Sequence, residues 1–217
     1  MKATGWERIY REQGDLQYDV LPKIEKASRL FKKKGYRNVL DLGCGTGKHS
    51  VFLAQEGFEV YATDMSRTGI EIAREKAESL GLYDIHFKQH DMVRIPFTDC
   101  FFDAVICIWT IYHGTLDRIQ ETINEIYRVL NPGGMVLTDF LTVNDDTYGT
   151  GKEIEKNTFL GEKKTEEDVP HHYTTREELV HLFSRFGQLQ IKASSNSYTD
   201  ETGKHYTRRY YDVDAVR

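Results

Sequence analysis

Apolar and polar positions along this chain switch between two periods. Short apolar runs of strand length occur at 39–42, 58–63, 85–88, 101–108 and 135–140. The densest of them, 101–108, suits a central strand buried on both faces. Between the runs, apolar residues recur three and four apart, which is helical spacing: Val51, Phe52 and Ala54, then Ile70, Ala73, Ala77 and Leu80, then Leu116, Ile119, Ile123, Ile126 and Leu130. Gly57 and Gly81 stop the first two stretches, Ser66 can cap the second, and Asn-Pro-Gly-Gly at 131–134 closes the third. Strands alternating with helices predict an α/β fold with a parallel, doubly wound sheet and right-handed crossovers. An earlier helix over about 22–34 turns Ile24, Ala27 and Phe31 inward.

Residues 141–174 interrupt this rhythm. They are polar, hold Gly149 and Gly151, and carry a charged run over 162–168. A connection of that length in a compact domain is expected to be a functional loop or lid. Thr175 and Glu178 then make a capping box ahead of Leu179, Leu182, Phe183 and Phe186, with Gly187 as the stop. Residues 188–194 and 206–213 read as a closing strand pair joined around 200–203.

The 217 residues suffice for one domain that removes roughly 70% of its unfolded surface from water. A formal net charge of −5 argues against nucleic acid as the main ligand, and the basic run 204–209 reads as a solvated strand edge. Three cysteines without framework spacing point to a reducing compartment; Cys44 lies in a glycine turn, while Cys100 and Cys107 are expected in the core. No N-terminal stretch resembles a signal peptide, and no apolar run approaches the ~18 residues needed to span a membrane. A cytoplasmic protein without a membrane partner is expected.

The strongest chemical signal is 39–47, Val-Leu-Asp-Leu-Gly-Cys-Gly-Thr-Gly. Strand, glycine turn and helix in succession bare backbone N–H groups and a helix N-terminus toward a bound cofactor. Glycine is needed there because a Cβ would block close approach and such turns require positive φ. The pattern is Asp-x-Gly-x-Gly-x-Gly. In a dinucleotide fingerprint the third glycine would fall on Lys48, and the Asp41 carboxylate suits a cationic ligand better than a pyrophosphate. At these residues the chain resembles the class I S-adenosylmethionine-dependent methyltransferases.

The resemblance extends through Asp64, through Gln-His-Asp-Met at 89–92, through Phe102-Asp103 and Ile111-Tyr112-His113, and through Arg-Val-Leu-Asn-Pro-Gly-Gly at 128–134, where Asn131 replaces the family's usual lysine. It covers 36–140 firmly and the remainder as topology. It implies a Rossmann-like, mostly parallel seven-stranded sheet with an antiparallel last strand and helices on both faces. It also implies S-adenosyl-L-methionine as cofactor. Gly43, Cys44 and Gly45 would wrap its methionine end, with Asp41 near the amino group. Asp64 would accept the ribose hydroxyls, Asp91 the adenine amino group, and Met92 would pack on the ring. Met65 would lie beside the adenosine and Ile108 would lend main-chain contacts. The organisation expected is one domain over 1–217: an N-terminal cap and helix (1–35), a cofactor-binding core (36–140), a lid-like insertion (141–174), and a C-terminal helix and strand pair (175–217).

Methyl transfer from a sulfonium is an in-line displacement that asks the protein chiefly to align two groups and exclude water. Trp109 and Tyr112 can form an aromatic wall that favours a cation by ~0.5–2 kcal/mol; plain core aromatics are the competing reading. His113, with Tyr112, is the catalytic candidate, as a general base titrating near neutrality or as a positioning residue. His171 and His172 are adjacent in an extended segment and point oppositely, so they cannot easily chelate one metal together, though one can face the pocket as a substrate contact. Residues 157–179 are loosely similar to methyltransferases of the tellurite-resistance type. Trp6, Tyr10 and Tyr18 are read as a cap over the cofactor or as anchors, with Tyr18 on the substrate side. No His-x-x-x-His, Cys-x-x-Cys or carboxylate cluster predicts a metal site, and no nucleophile elbow is present. The expected activity is methyl transfer to a small molecule through N, O, S or a metalloid oxyanion. A silent cofactor-binding protein and an NAD(P)-dependent oxidoreductase are the alternatives, and monomer and homodimer stay open.

Overall fold

The computed structural model describes residues 5–16, 19–161, 166–199 and 203–217. Two helices come first, α1 (Gly5–Gln13) and α2 (Pro22–Lys34), followed by β1 (Asn38–Leu42), α3 (Lys48–Gln55), β2 (Glu59–Asp64) and α4 (Arg67–Ser79). Next come β3 (His86–Gln89), β4 (Phe102–Cys107), α5 (Leu116–Val129) and β5 (Leu130–Thr142). These five strands lie in the order β3-β2-β1-β4-β5 and are all parallel. The order reverses between β1 and β4, and the carboxyl ends of strands at such a switch point form the usual ligand crevice.

Side chains alternate across β1, so Leu40 and Leu42 enter one core and Val39 the other. Ile119, Ile123 and Ile126 of α5 seal the first face, each at most 1% exposed; Ile24 and Phe31 of α2, Leu53 of α3 and Ile70 of α4 seal the second. Each such side chain contributes about 1.5–3 kcal/mol of transfer free energy, an upper figure given a compact unfolded chain. Ser66 caps α4 as read, its hydroxyl accepting from Gly69 N–H at 3.0 Å.

The strand count corrects the seven expected, since the sheet has ten among the described residues. Residues 141–174 hold β6 (Lys152–Glu155), β7 (Thr158–Leu160) and β8 (Pro170–Thr174). Strand β8 pairs in parallel with Leu141 and Thr142 at the tip of β5, past the end of β4, and β7 and β6 continue outward antiparallel. The exposed Lys-Glu-Ile-Glu of β6 shows no apolar alternation, and β8 is buried although its sequence is polar. Its polar side chains are satisfied internally: the Thr174 hydroxyl donates to Leu141 O at 3.0 Å, and Thr158 Oγ1 and His172 Nδ1 lie 2.7 Å apart. After α6 (Arg176–Leu182), β9 (Gln188–Thr199) and β10 (His205–Val216) pair antiparallel, and β10 runs antiparallel to β5 from Tyr210–Leu141 to Val216–Met135. Cys107 is buried as expected, whereas Cys100 is exposed, in a left-handed turn before β4.

Candidate active site

From Leu42 the chain turns through Gly43, Cys44, Gly45, Thr46 and Gly47 into α3. The N–H groups of Gly43 and Cys44 both donate to Thr63 O, at 2.7 and 2.9 Å, which pins the turn to the tip of β2. Gly43 and Gly45 have φ of +77° and +54°. A Cβ on Gly43 would sit 2.2 Å from the Thr110 side chain, and one on Gly45 2.5 Å from the Tyr10 hydroxyl. Both the backbone shape and the close approach therefore require glycine. The Gly45 N–H donates to the Asp64 carboxylate at 2.9 Å, and the Ser66 N–H does so at 2.8 Å. Turn and acid are thus one unit. Burial raises the Asp64 pKa above the usual carboxylate value against these two donors.

The turn forms one end of a cleft enclosing about 930 Å³ of space, mouth included. Gly43, Cys44, Gly45, Asp64, Met65, Met92, Ile108, Trp109 and His113, all singled out in the sequence, line it. A second cavity holding Asp91 shares Trp6, Met65, Met92 and His113 with the first. The two form a path from the glycine turn past Asp64 to Asp91. Helix α1 roofs it with Trp6 and Tyr10. The roof is fixed by Glu7, whose carboxylate accepts from the Ser66 hydroxyl at 2.7 Å and from Thr68 N–H and Oγ1 at 3.1 and 2.8 Å, at the start of α4.

Other expected site residues lie elsewhere. Asp41 does not reach the cleft wall; at 2% exposure it sits beneath the turn and accepts the Ser50 hydroxyl at 2.6 Å. Burial, with the Asp64 charge adding to it, pushes its pKa up to about 7 against the Ser50 bond and the Lys48 ammonium. Asp91 faces the second cavity, but both its oxygens accept from Arg118 at 2.7 Å. Tyr112 is 4% exposed and packs in the core under His113, so it lines neither cavity. The adjacent histidines diverge, as extended backbone requires: His172 turns away to Thr158 and to Glu178, 3.0 Å from its Nε2, while His171 packs against His113. Neither lines the cleft itself. Tyr18 lies outside the described residues.

The structure adds residues that the sequence reading passed over. Lys48, the first residue of α3, puts its ammonium 4.3 Å from the centre of the Trp109 ring, and burial lowers its pKa to about 8. His49 is 4% exposed on the cleft wall, with no hydrogen-bond partner for Nε2 among the described residues. Burial and the neighbouring Lys48 and Lys23 charges hold it neutral, at about 3. Position directly after the glycine turn was the signal available for both. Trp109 holds a left-handed conformation at φ +55°, strain of the kind that concentrates at functional sites.

Residues 39–134 match the family described as "Methyltransferase domain". YqeM of Bacillus subtilis is 38% identical over 142 residues, 64% of this chain and 55% of the relative. A demethylmenaquinone methyltransferase of Thermus thermophilus is 37% identical over 139 residues, 57% of this chain and 61% of the relative. The chain spans about half the length of the curated relatives it matches. A crystal structure of a SAM-dependent methyltransferase from Methanosarcina mazei superposes with a TM-score of 0.71 over 91% of this chain and 98% of that one, at 23% identity, which shows a shared fold. The glycine turn bound to Asp64 and most of the switch-point cleft lie within the segment, 39–134, that matches the methyltransferase-domain family.

Proposed function

We propose that this chain binds S-adenosyl-L-methionine along the cleft and transfers its methyl group to a small-molecule acceptor. The observation that carries this reading is the bond between Gly45 and Asp64, which joins a turn with no room for a Cβ at Gly43 or Gly45 to a carboxylate on the same cleft. Bound there, the cofactor supplies a methyl group activated by the positive sulfonium. Gly43, Cys44 and Gly45 hold its amino-acid end, and His49 and Lys48 offer donors to the carboxylate. Asp64 receives the ribose hydroxyls, while Met65, Met92 and Ile108 pack on the adenosine. Asp91 stands at the far end toward the adenine. Asp41 acts one layer out, holding Ser50 and hence the first turn of α3.

Trp109 and His113 line the wall left for the acceptor, and Trp6 and Tyr10 exclude water from above. That roof is the reason for favouring a small molecule, because a protein or nucleic-acid acceptor would have to displace α1. On this reading 1–217 acts as one domain, with 1–35 as the cap. No described helix is long and apolar enough to cross a membrane. Isothermal titration with S-adenosylhomocysteine tests the reading: binding with one site per chain supports it, and no heat at millimolar ligand ends it. Release of S-adenosylhomocysteine over a panel of hydroxyl, amine, thiol and metalloid acceptors then separates an enzyme from a silent binder.

A further inference from the structure

Where the loop after β4 meets the start of β8, three side chains converge beside the cleft. The ligating atoms of His113, Glu166 and His171 all lie within 4.8 Å of one another. His171 is 1% and Glu166 7% exposed, while the half-buried His113 opens into both cavities. The His171 Nε2 lies 2.9 Å from a Glu166 carboxylate oxygen, and its Nδ1 lies 3.1 Å from the Val169 carbonyl oxygen. A carbonyl oxygen only accepts, so Nδ1 carries a proton and Nε2 is the nitrogen turned to the carboxylate. A proton on Nε2 closes this contact as an ion pair, and a metal ion in the proton's place would be held by the same nitrogen and oxygen. A backbone carbonyl on Nδ1 is also the outer contact that orients imidazoles which coordinate through Nε2. The His113 ring stands at 84° to the His171 ring, with centroids 4.8 Å apart, and supplies a third donor on the open side.

We propose that His113, Glu166 and His171 form a binding site for a divalent transition-metal ion of the zinc or cobalt type, held by two imidazole nitrogens and one carboxylate oxygen. Two nitrogens with one oxygen suit such an ion better than magnesium or calcium, which prefer oxygen ligands. Bond lengths of about 2.0–2.1 Å around a tetrahedral centre put ligand atoms roughly 3.3 Å apart, so the separations here have to close by at most about 1.5 Å. Small side-chain rotations of the partly exposed His113 supply that movement. Three protein ligands leave a fourth position, and His113 sets it toward the cleft. The ion site stands without the methyl-transfer reading. Use of the fourth position by an oxygen or sulfur of the acceptor rests on that reading.

The full chain, stripped with a chelator and then freed of it, is titrated with cobalt(II) chloride and followed by visible d–d absorption. One cobalt per chain, displaced by zinc(II), with a raised unfolding temperature, is the expected result. Glu166→Gln and His171→Ala should each weaken cobalt binding about tenfold or more. His86→Ala, which removes another histidine–carboxylate pair (His86–Glu59, 2.5 Å) on an exposed edge, should leave the titration unchanged. No saturable signal in the unaltered chain overturns the proposal, and so does equal binding in Glu166→Gln and His171→Ala. The unaltered chain decides whether an ion binds, so a variant that fails to fold does not shelter the idea. S-adenosylhomocysteine titrated into the same sample keeps the two readings apart: cobalt without nucleoside binding leaves the metal site standing and sinks the methyl-transfer reading, and the reverse sinks the metal site.

Discussion

The backbone N–H of Trp109 donates to the carboxylate of Asp139 at 2.8 Å, and this bond holds a left-handed tryptophan on the cleft wall. Asp139 is fully buried near the end of β5, and its second oxygen accepts from Lys23 of α2 at 2.6 Å. Lys23 also donates to Asp212 of β10 at 2.9 Å. One partly buried network therefore ties a helix and two strands to the residue whose ring the Lys48 ammonium covers.

Asp139→Ala removes the shared partner of Trp109 N–H and the Lys23 ammonium. Lys23 is partly exposed and keeps Asp212, so the cost is that of the lost hydrogen bonds and the unpaired Trp109 N–H, about 1–3 kcal/mol. Urea unfolding of the variant should show a loss of that size, and tryptophan fluorescence should report the altered setting of Trp109. A loss below about 1 kcal/mol would show that the network does not hold the wall.

Asp64→Ala should weaken S-adenosylhomocysteine binding by about 1–3 kcal/mol, the range for hydrogen bonds to a charged group. The substitution also frees the N–H groups of Gly45 and Ser66. Asp64→Asn keeps one acceptor and should fall between the two. Calorimetry on all three proteins checks the order, and unchanged affinity in Asp64→Ala removes Asp64 from the site.

On the proposed reading, His49 offers a neutral ring N–H to the carboxylate end of the cofactor. His49→Ala should therefore lower affinity for S-adenosylhomocysteine while leaving 5′-methylthioadenosine, which has no carboxylate, nearly unchanged. The lost hydrogen bond to a charged group corresponds to about 1.5–3 kcal/mol. Equal losses for both ligands would assign His49 to packing of α3 alone.

Glu7 links pH to the roof. Burial opposes its ionisation, but the bonds from Ser66 and Thr68 outweigh it and hold the pKa at about 2, below the ordinary 4.5. A carboxyl lowered on folding stabilises the docked helix fully above pH 4.5, and the contribution disappears as pH falls from there through 2. It amounts to about 3 kcal/mol at most. Limited proteolysis across this window, with a protease active in acid, should show α1 becoming accessible as pH drops. Glu7→Gln should show that accessibility already at neutral pH. Equal protection of the variant at pH 7 would mean that Glu7 does not hold the roof.

Much of the fold was legible in single windows of sequence. The glycine turn, the caps at Ser66 and Thr175 and the apolar stripe of α5 are local signals, set by φ preference, by short side chains and by the 3.6-residue period. Strands β6 to β8 escaped because their pairing replaces apolar alternation. Charged β6 lies exposed on the sheet edge, and polar β8 is buried only because Thr158, Glu178 and Leu141 meet its side chains. Among site residues, Asp64 and Met65 reach the cleft because a strand tip leaves them no other place. Asp41 and Tyr112 carry the right residue types but point into the interior, a choice made by Ser50 and by the packing around α5.

Taken by itself, the sequence determined the α/β alternation, the turn that only glycine can form, and the acid at the tip of β2, since each depends on neighbours a few residues away. Tertiary structure alone decided that Glu7 fixes the roof over the cleft, that Asp139 fixes Trp109, and that His113 meets Glu166 and His171. Those contacts join segments far apart in the chain. Their energies depend on burial and on partners that exist only once the sheet has brought its strands together.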